Sequence, residues 1–132
     1  MEQWEYLIDT NVIIDYLGNK LSTKGMLFMN NIIDAIPNVS VITKIEVLGF
    51  NTPQEHYKLL KDFMNDANVF DLMDTIVDIS IEIRKKHKIK LPDGIIAATA
   101  LAFNFILITR NAKDFQNIPK LKIIDPHSFD EE

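Results

Sequence analysis

The chain has 132 residues, 47% of them hydrophobic and 25% charged, with no cysteine and a formal net charge of −5. That length suits one domain with a core of its own, and the lack of cysteine excludes disulfides, zinc–thiolate centres and thiol catalysis. A negative net charge provides no global field for holding nucleic acid, so any such role has to come from a local site.

The opening residues, Met1-Glu2-Gln3-Trp4-Glu5, show no basic region ahead of an apolar stretch, so no signal peptide is expected. No apolar run is long enough for a membrane span. Together with the absent cysteines, this points to a cytoplasmic protein.

Glu5 to Asp9 reads as a short buried strand, followed by a helix from about Asn11 to Leu17 that Gly18-Asn19 breaks. Met26 to Ile36 places Met29, Ile32, Ile33 and Ile36 at helical spacing, and Pro37-Asn38 ends that element. Val39 to Ile42 is a strand candidate, with a helix from Thr43 to about Phe50. Pro53 opens a helix reaching Asn65, with Tyr57, Leu60, Phe63 and Met64 as its apolar stripe. Asp74 has the character of an N-cap for a helix through His87, and Pro92 opens another to about Asn104. Phe105 to Thr109 and Leu121 to Ile124 read as the last strands.

Helices alternating with short apolar strands predict an α/β fold: a short, mostly parallel sheet of about four strands flanked by helices, within one domain over residues 1–132. In such sheets, sites lie at the carboxyl ends of the strands.

Three of four candidate acids follow strands, and the fourth opens a buried-looking helix. Asp9 ends the first strand, where it is either a helix cap or part of a site. Glu46 follows the second strand; with Thr43 it has the spacing of a capping box, which explains it equally well. Asp93 opens the apolar helix Pro92-Asp93-Gly94-Ile95-Ile96-Ala97-Ala98, a position the helix dipole favours for any acid. Asp114 follows the strand that ends in Thr109, where it is either a cap or a solvated acid.

Local explanations exist for each acid, but not for their common placement. Carboxylates that converge raise one another's pKa unless cations neutralise them. Hard oxygen ligands without His or Cys suit Mg²⁺ or Mn²⁺, and a pair of such ions activates water and stabilises the leaving oxygen of a phosphodiester.

The ordered set Leu7-Ile8-Asp9-Thr10-Asn11, Thr43-Lys44-Ile45-Glu46, Leu91-Pro92-Asp93-Gly94 and Ile108-Thr109-Arg110-Asn111-Ala112-Lys113-Asp114-Phe115 resembles the PIN-domain ribonucleases, and within them the VapC-type toxins. The resemblance spans nearly the whole chain and rests on the set rather than on any one motif. It implies a PIN-like fold and a metal-dependent endoribonuclease acting on RNA, a homodimer held inactive by a small antitoxin. By position it assigns Asp9, Glu46 and Asp93 as catalytic, metal-binding acids. Many members carry an Asp where this chain has Asn111, whereas others use the position of Asp114, the one carboxylate available in this corner. Thr10, Asn11 and Thr109 fall at the family's supporting polar positions, with Asn111 beside them.

Other features are weaker. Asp15 lies six residues after Asp9 and reads as a supporting or surface acid. The basic run Arg84 to Lys90 suits a helix C-terminus, although it leads into Asp93, which keeps Lys88 and Lys90, with Arg110, as candidate RNA contacts. His56, His87 and His127 show no ligand spacing, and Phe103 and Phe105 read as core. A dehalogenase-type phosphatase would need a second Asp at position 11, where Asn11 stands. The remaining alternative is a catalytically weak or dead PIN-like module that acts through protein or RNA association.

Overall fold

A computed structural model describes residues 5–129; the amino-terminal stretch whose composition argues against a signal peptide lies, but for Glu5, outside them. The elements alternate along the chain: β1 (Tyr6–Ile8), α1 (Thr10–Leu17), α2 (Thr23–Asp34), β2 (Asn38–Ser40), α3 (Val41–Leu48), α4 (Gln54–Asp66), β3 (Asn68–Phe70), α5 (Asp74–Lys86), α6 (Leu91–Phe103), β4 (Ile106–Ile108), α7 (Ala112–Phe115) and β5 (Ile123–Ile124). The five strands form one parallel sheet in the order β3-β2-β1-β4-β5.

Strand periodicity sorts the core. Leu7 and Leu107 are opposite one another in register, as are Ile8 and Ile108. Successive side chains leave a strand on opposite faces. Leu7 and Leu107 therefore join Ile76, Ile96 and Phe115 on the side of α5–α7. Ile8 and Ile108 join Val12, Met29, Val39 and Leu60 on the side of α1–α4. These four central side chains are fully buried, each contributing about 1.5–3 kcal/mol.

Helix α6 packs deepest. Every residue from Gly94 to Ala100 is buried, as its run of small residues allows. A Cβ on Gly94 would stand 3.3 Å from Arg84 Cγ, so glycine there lets the arginine stem of α5 lie against α6. Asn104, in the left-handed region at φ 57, ends the helix.

Several boundaries depart from the sequence reading. β3 is an additional edge strand of three residues, exposed or half-buried along its length and so without the apolar run that marks the others. Helix α2 begins earlier, at Thr23, because the Ser22 hydroxyl accepts from the Gly25 N–H. Asp74 is the first helical residue of α5, with Met73 at the cap position and no side-chain cap bond. Helix α3 starts at Val41 rather than Thr43, capped by Ser40, whose hydroxyl accepts from the Ile42 N–H at 3.1 Å. The Thr43–Glu46 capping box is therefore not formed. Phe105 is buried, whereas Phe103 is 38% exposed and lies against the Phe70 and Phe105 rings.

Candidate active site

β1 is the hinge of the strand order, with β2 and β3 on one side and β4 and β5 on the other. Ligands in open α/β sheets bind where that order switches, beyond the carboxyl ends of the strands. Asp9 leaves β1 there, and Thr109 leaves the neighbouring β4.

Asp9 is 4% exposed. Its Oδ1 accepts from the Thr10 N–H at 2.8 Å and its Oδ2 from the Thr109 hydroxyl at 2.8 Å. The Thr109 oxygen in turn accepts from the Asn111 N–H at 3.0 Å. Asp9 is thus the N-cap of α1 and also a fixed carboxylate at the crevice, so capping does not exhaust its role.

Glu46 reaches the same place from α3. The Thr10 hydroxyl donates to Glu46 Oε1 at 2.6 Å and lies 3.2 Å from the buried Thr43 hydroxyl. The two threonines join the ends of β1 and β2, which accounts for Thr43 without a capping box. Asp93 stands in the first turn of α6 and Asp114 in the first turn of α7. Asn11 lies half-buried on α1, and Asn111 is the residue before α7.

The charges of Asp9, Asp114 and Glu46 all reach the Asp93 carboxyl. Burial, then Asp9, Asp114 and Glu46 in that order, push the Asp93 carboxyl up to about 6, with Lys90 opposing them. The Asp9 carboxyl is also raised, first by burial and further by Glu46; its bonds to Thr109 and Thr10 and the nearby Arg110 work the other way. In both, burial and neighbouring carboxylates outweigh the nearby cations.

A groove of about 580 Å³ opens beside them, lined by Lys88, Lys90, Asp93, Lys113 and Asp114 among others. Two candidate RNA contacts, Lys88 and Lys90, therefore share a groove with two of the acids. The third, Arg110, is an exposed residue whose Nη1 donates to Asp15 at 2.9 Å. Asp15 is buried, not a surface acid, and His127 Nε2 lies 2.7 Å from the same carboxylate oxygen. No sequence spacing connects positions 15, 110 and 127, so this cluster gave no signal before folding.

The chain matches the model of the PIN domain over residues 6–121. It belongs to the PIN domain family. A curated relative, Ribonuclease VapC from Rickettsia bellii, is 28% identical over 130 residues, covering 89% of this chain and 93% of that one. Among solved structures, a toxin–antitoxin complex from Klebsiella pneumoniae is 30% identical with a TM-score of 0.74, covering 95% of this chain and all of that one. DNA-bound VapBC from Salmonella typhimurium shares the fold at a TM-score of 0.78 and 22% identity, over 94% of this chain and 99% of that one. Membership removes the phosphatase reading, and the expected PIN architecture is the one observed.

The donor set of this PIN domain suits a hard divalent cation, being four carboxylates with hydroxyls behind them. Among the described residues no three His, Asp or Glu side chains stand close enough to clasp an ion as they lie. The exposed Asp114 makes no such bond and has the rotational freedom to turn inward, while Asp9 is held by Thr109 and Glu46 by Thr10.

Proposed function

We propose that this PIN domain, spanning residues 1–132, is a metal-dependent endoribonuclease that hydrolyses RNA phosphodiester bonds as the toxin of a cytoplasmic toxin–antitoxin pair. The observation that carries the reading is that Thr10 joins two of the candidate acids at the switch point of the sheet, its N–H donating to Asp9 Oδ1 at 2.8 Å and its hydroxyl to Glu46 Oε1 at 2.6 Å, while Asp93 feels the charges of both. Such crowding is costly to a fold and is relieved by a cation. Asp9, Glu46, Asp93 and Asp114 would hold Mg²⁺ or Mn²⁺, which would supply an activated water and neutralise the leaving oxygen. Thr109 and Thr10 orient the carboxylates of Asp9 and Glu46. Lys88 and Lys90 would meet the RNA backbone in the groove that Asp93 and Asp114 line. The names of the relatives support the ribonuclease and toxin roles.

Two protein partners belong to this reading. A groove beside α2, lined by Tyr6, Phe28, Ile32 and Ile36, would receive an apolar antitoxin segment. A second copy of the chain would cover the α5 face, where Leu72, Ile81 and Leu91 are about half exposed and the buried Ser80 hydroxyl has no partner among the described residues. That face reads Asp74, Val77, Ile81, Arg84 at helical spacing, acidic at one end and basic at the other. Two antiparallel copies of α5 would set each Asp74 toward the partner's Arg84, as a two-fold interface requires.

Purified protein incubated with a structured RNA, with Mn²⁺ and with EDTA, tests the proposal. Internal cleavage that needs the metal is expected. No cleavage under any metal condition, with RNA or antitoxin binding intact, would instead establish the binding-module alternative.

A further inference from the structure

Behind the acidic crevice lies a second ionic cluster that the nuclease chemistry leaves unused. Its centre is Asp15 on α1, whose side chain is 8% exposed. One oxygen, Oδ2, receives both Arg110 Nη1 at 2.9 Å and His127 Nε2 at 2.7 Å. His127 is fixed in turn by Asp125, whose Oδ1 accepts from its backbone N–H at 2.8 Å and lies 3.2 Å from Nδ1. The carboxyl-terminal turn that carries both is itself fastened to α2. The Ser22 hydroxyl donates to the Phe129 carbonyl at 2.9 Å, and the Phe28 and Phe129 rings meet edge to face at 5.1 Å.

The buried carboxylate thus has two partners on one oxygen, one from the end of β4 and one from the carboxyl-terminal turn. Its effect is on Arg110. This residue directly follows Thr109, the residue that holds Asp9, and its charge is felt at the Asp9 carboxyl. One guanidinium nitrogen is committed to a rigid acceptor, while the side chain remains 46% exposed. Its other donors make no hydrogen bond among the described residues. A guanidinium is a planar fork whose two edges serve two planar partners. An arginine held at one nitrogen by a buried, braced acceptor keeps its other donors available and has less freedom left to lose when an anion arrives.

Building on the nuclease reading above, we infer that Arg110 is a phosphate-binding residue for an RNA backbone phosphodiester flanking the cleaved one, and that Asp15, clamped by His127, is the positioning residue that aims it. Arg110 touches the substrate; Asp15 and His127 act only through Arg110. A lysine at position 110 cannot substitute, because a point charge on a flexible stem cannot engage Asp15 and a phosphate with one rigid group.

The test is a double-mutant cycle read as affinity for a labelled single-stranded RNA in EDTA, with thermal melts for each variant. Arg110→Gln is expected to weaken binding about tenfold, and to lower the slope of log affinity against log salt by about 0.7. Arg110→Lys, at an exposed position that keeps the fold, should lose most of the affinity while retaining the salt slope. Asp15→Asn should weaken binding about threefold in wild type and by less than a factor of about 1.5 in Arg110→Gln, because its effect passes through the arginine. Equal effects of Asp15→Asn in the two backgrounds would overturn the positioning role. Wild-type affinity in Arg110→Gln or in Arg110→Lys would reduce the cluster to a structural ion pair. Failure of the wild-type protein to bind RNA in EDTA, or metal-dependent cleavage with unaltered Arg110→Gln binding, would overturn this inference alone, whereas absence of cleavage with Mn²⁺ would overturn the nuclease reading.

Discussion

Replacing Asp93 with asparagine should stabilise the protein at neutral pH while abolishing its chemistry. The Asp93 carboxyl is pushed from 3.8 to about 6, by burial first and then by Asp9, Asp114 and Glu46. Between those two values the folded state binds more protons than the unfolded one, so stability falls as pH rises through this window and stays low above it. Two units correspond to about 3 kcal/mol. Water at this half-buried carboxyl screens the effect to about 1–2 kcal/mol. Loss of an acid from the first turn of α6 gives back roughly 0.3–1 kcal/mol of helix-dipole stabilisation. The net gain is about 1 kcal/mol, or roughly 3–5 °C in thermal midpoint. Melts in EDTA at pH 7.5 and at pH 4 measure it, with the gain expected at the higher pH and lost at the lower. A variant less stable than wild type at pH 7.5 would refute the reasoning, because burial and the neighbouring acids would then not be penalising the charged carboxyl.

Mn²⁺ should raise the thermal midpoint of wild type by mass action, and Asp9→Asn should lose much of that shift; equal shifts would count against a metal at this site. Gly25→Ala would bring a Cβ to 2.7 Å from the Pro126 carbonyl oxygen, a backbone atom, and should cost about 1–3 kcal/mol in urea unfolding; no change would mean that the carboxyl-terminal turn does not pack there. Light scattering at micromolar concentration should give a dimer, and Ile81→Glu should give a monomer; a wild-type monomer would remove the α5 interface.

The order of elements was legible because strands and helices carry different apolar periods. Leu7-Ile8 and Leu107-Ile108 read as buried strands, and the run after Pro92 read as an apolar helix. β3 was not legible, since Asn68–Phe70 is a half-exposed edge strand held by its ladder with β2. Three of the acids were singled out by their position after strands and Asp93 by opening an apolar helix, but which of them come near one another depends on the strand order, which no local pattern encodes. The Thr43–Glu46 spacing was misleading for a physical reason: Ser40 takes the cap, which frees Thr43 and Glu46 to meet Thr10 across the sheet. Asp15 and His127 are 112 positions apart, and only the folded chain brings them together.

The central claim is that Asp9 serves chemistry as well as capping, and Asp9→Asn separates the two. Asparagine caps about as well as aspartate, and its amide can still bond Thr10 and Thr109, the partners of Asp9. The measurement is Mn²⁺-dependent cleavage of a structured RNA by Asp9→Asn, with circular dichroism to confirm the fold. The account predicts a folded protein whose cleavage has collapsed. Wild-type cleavage by a well-folded Asp9→Asn protein would contradict it and leave Asp9 as a helix cap.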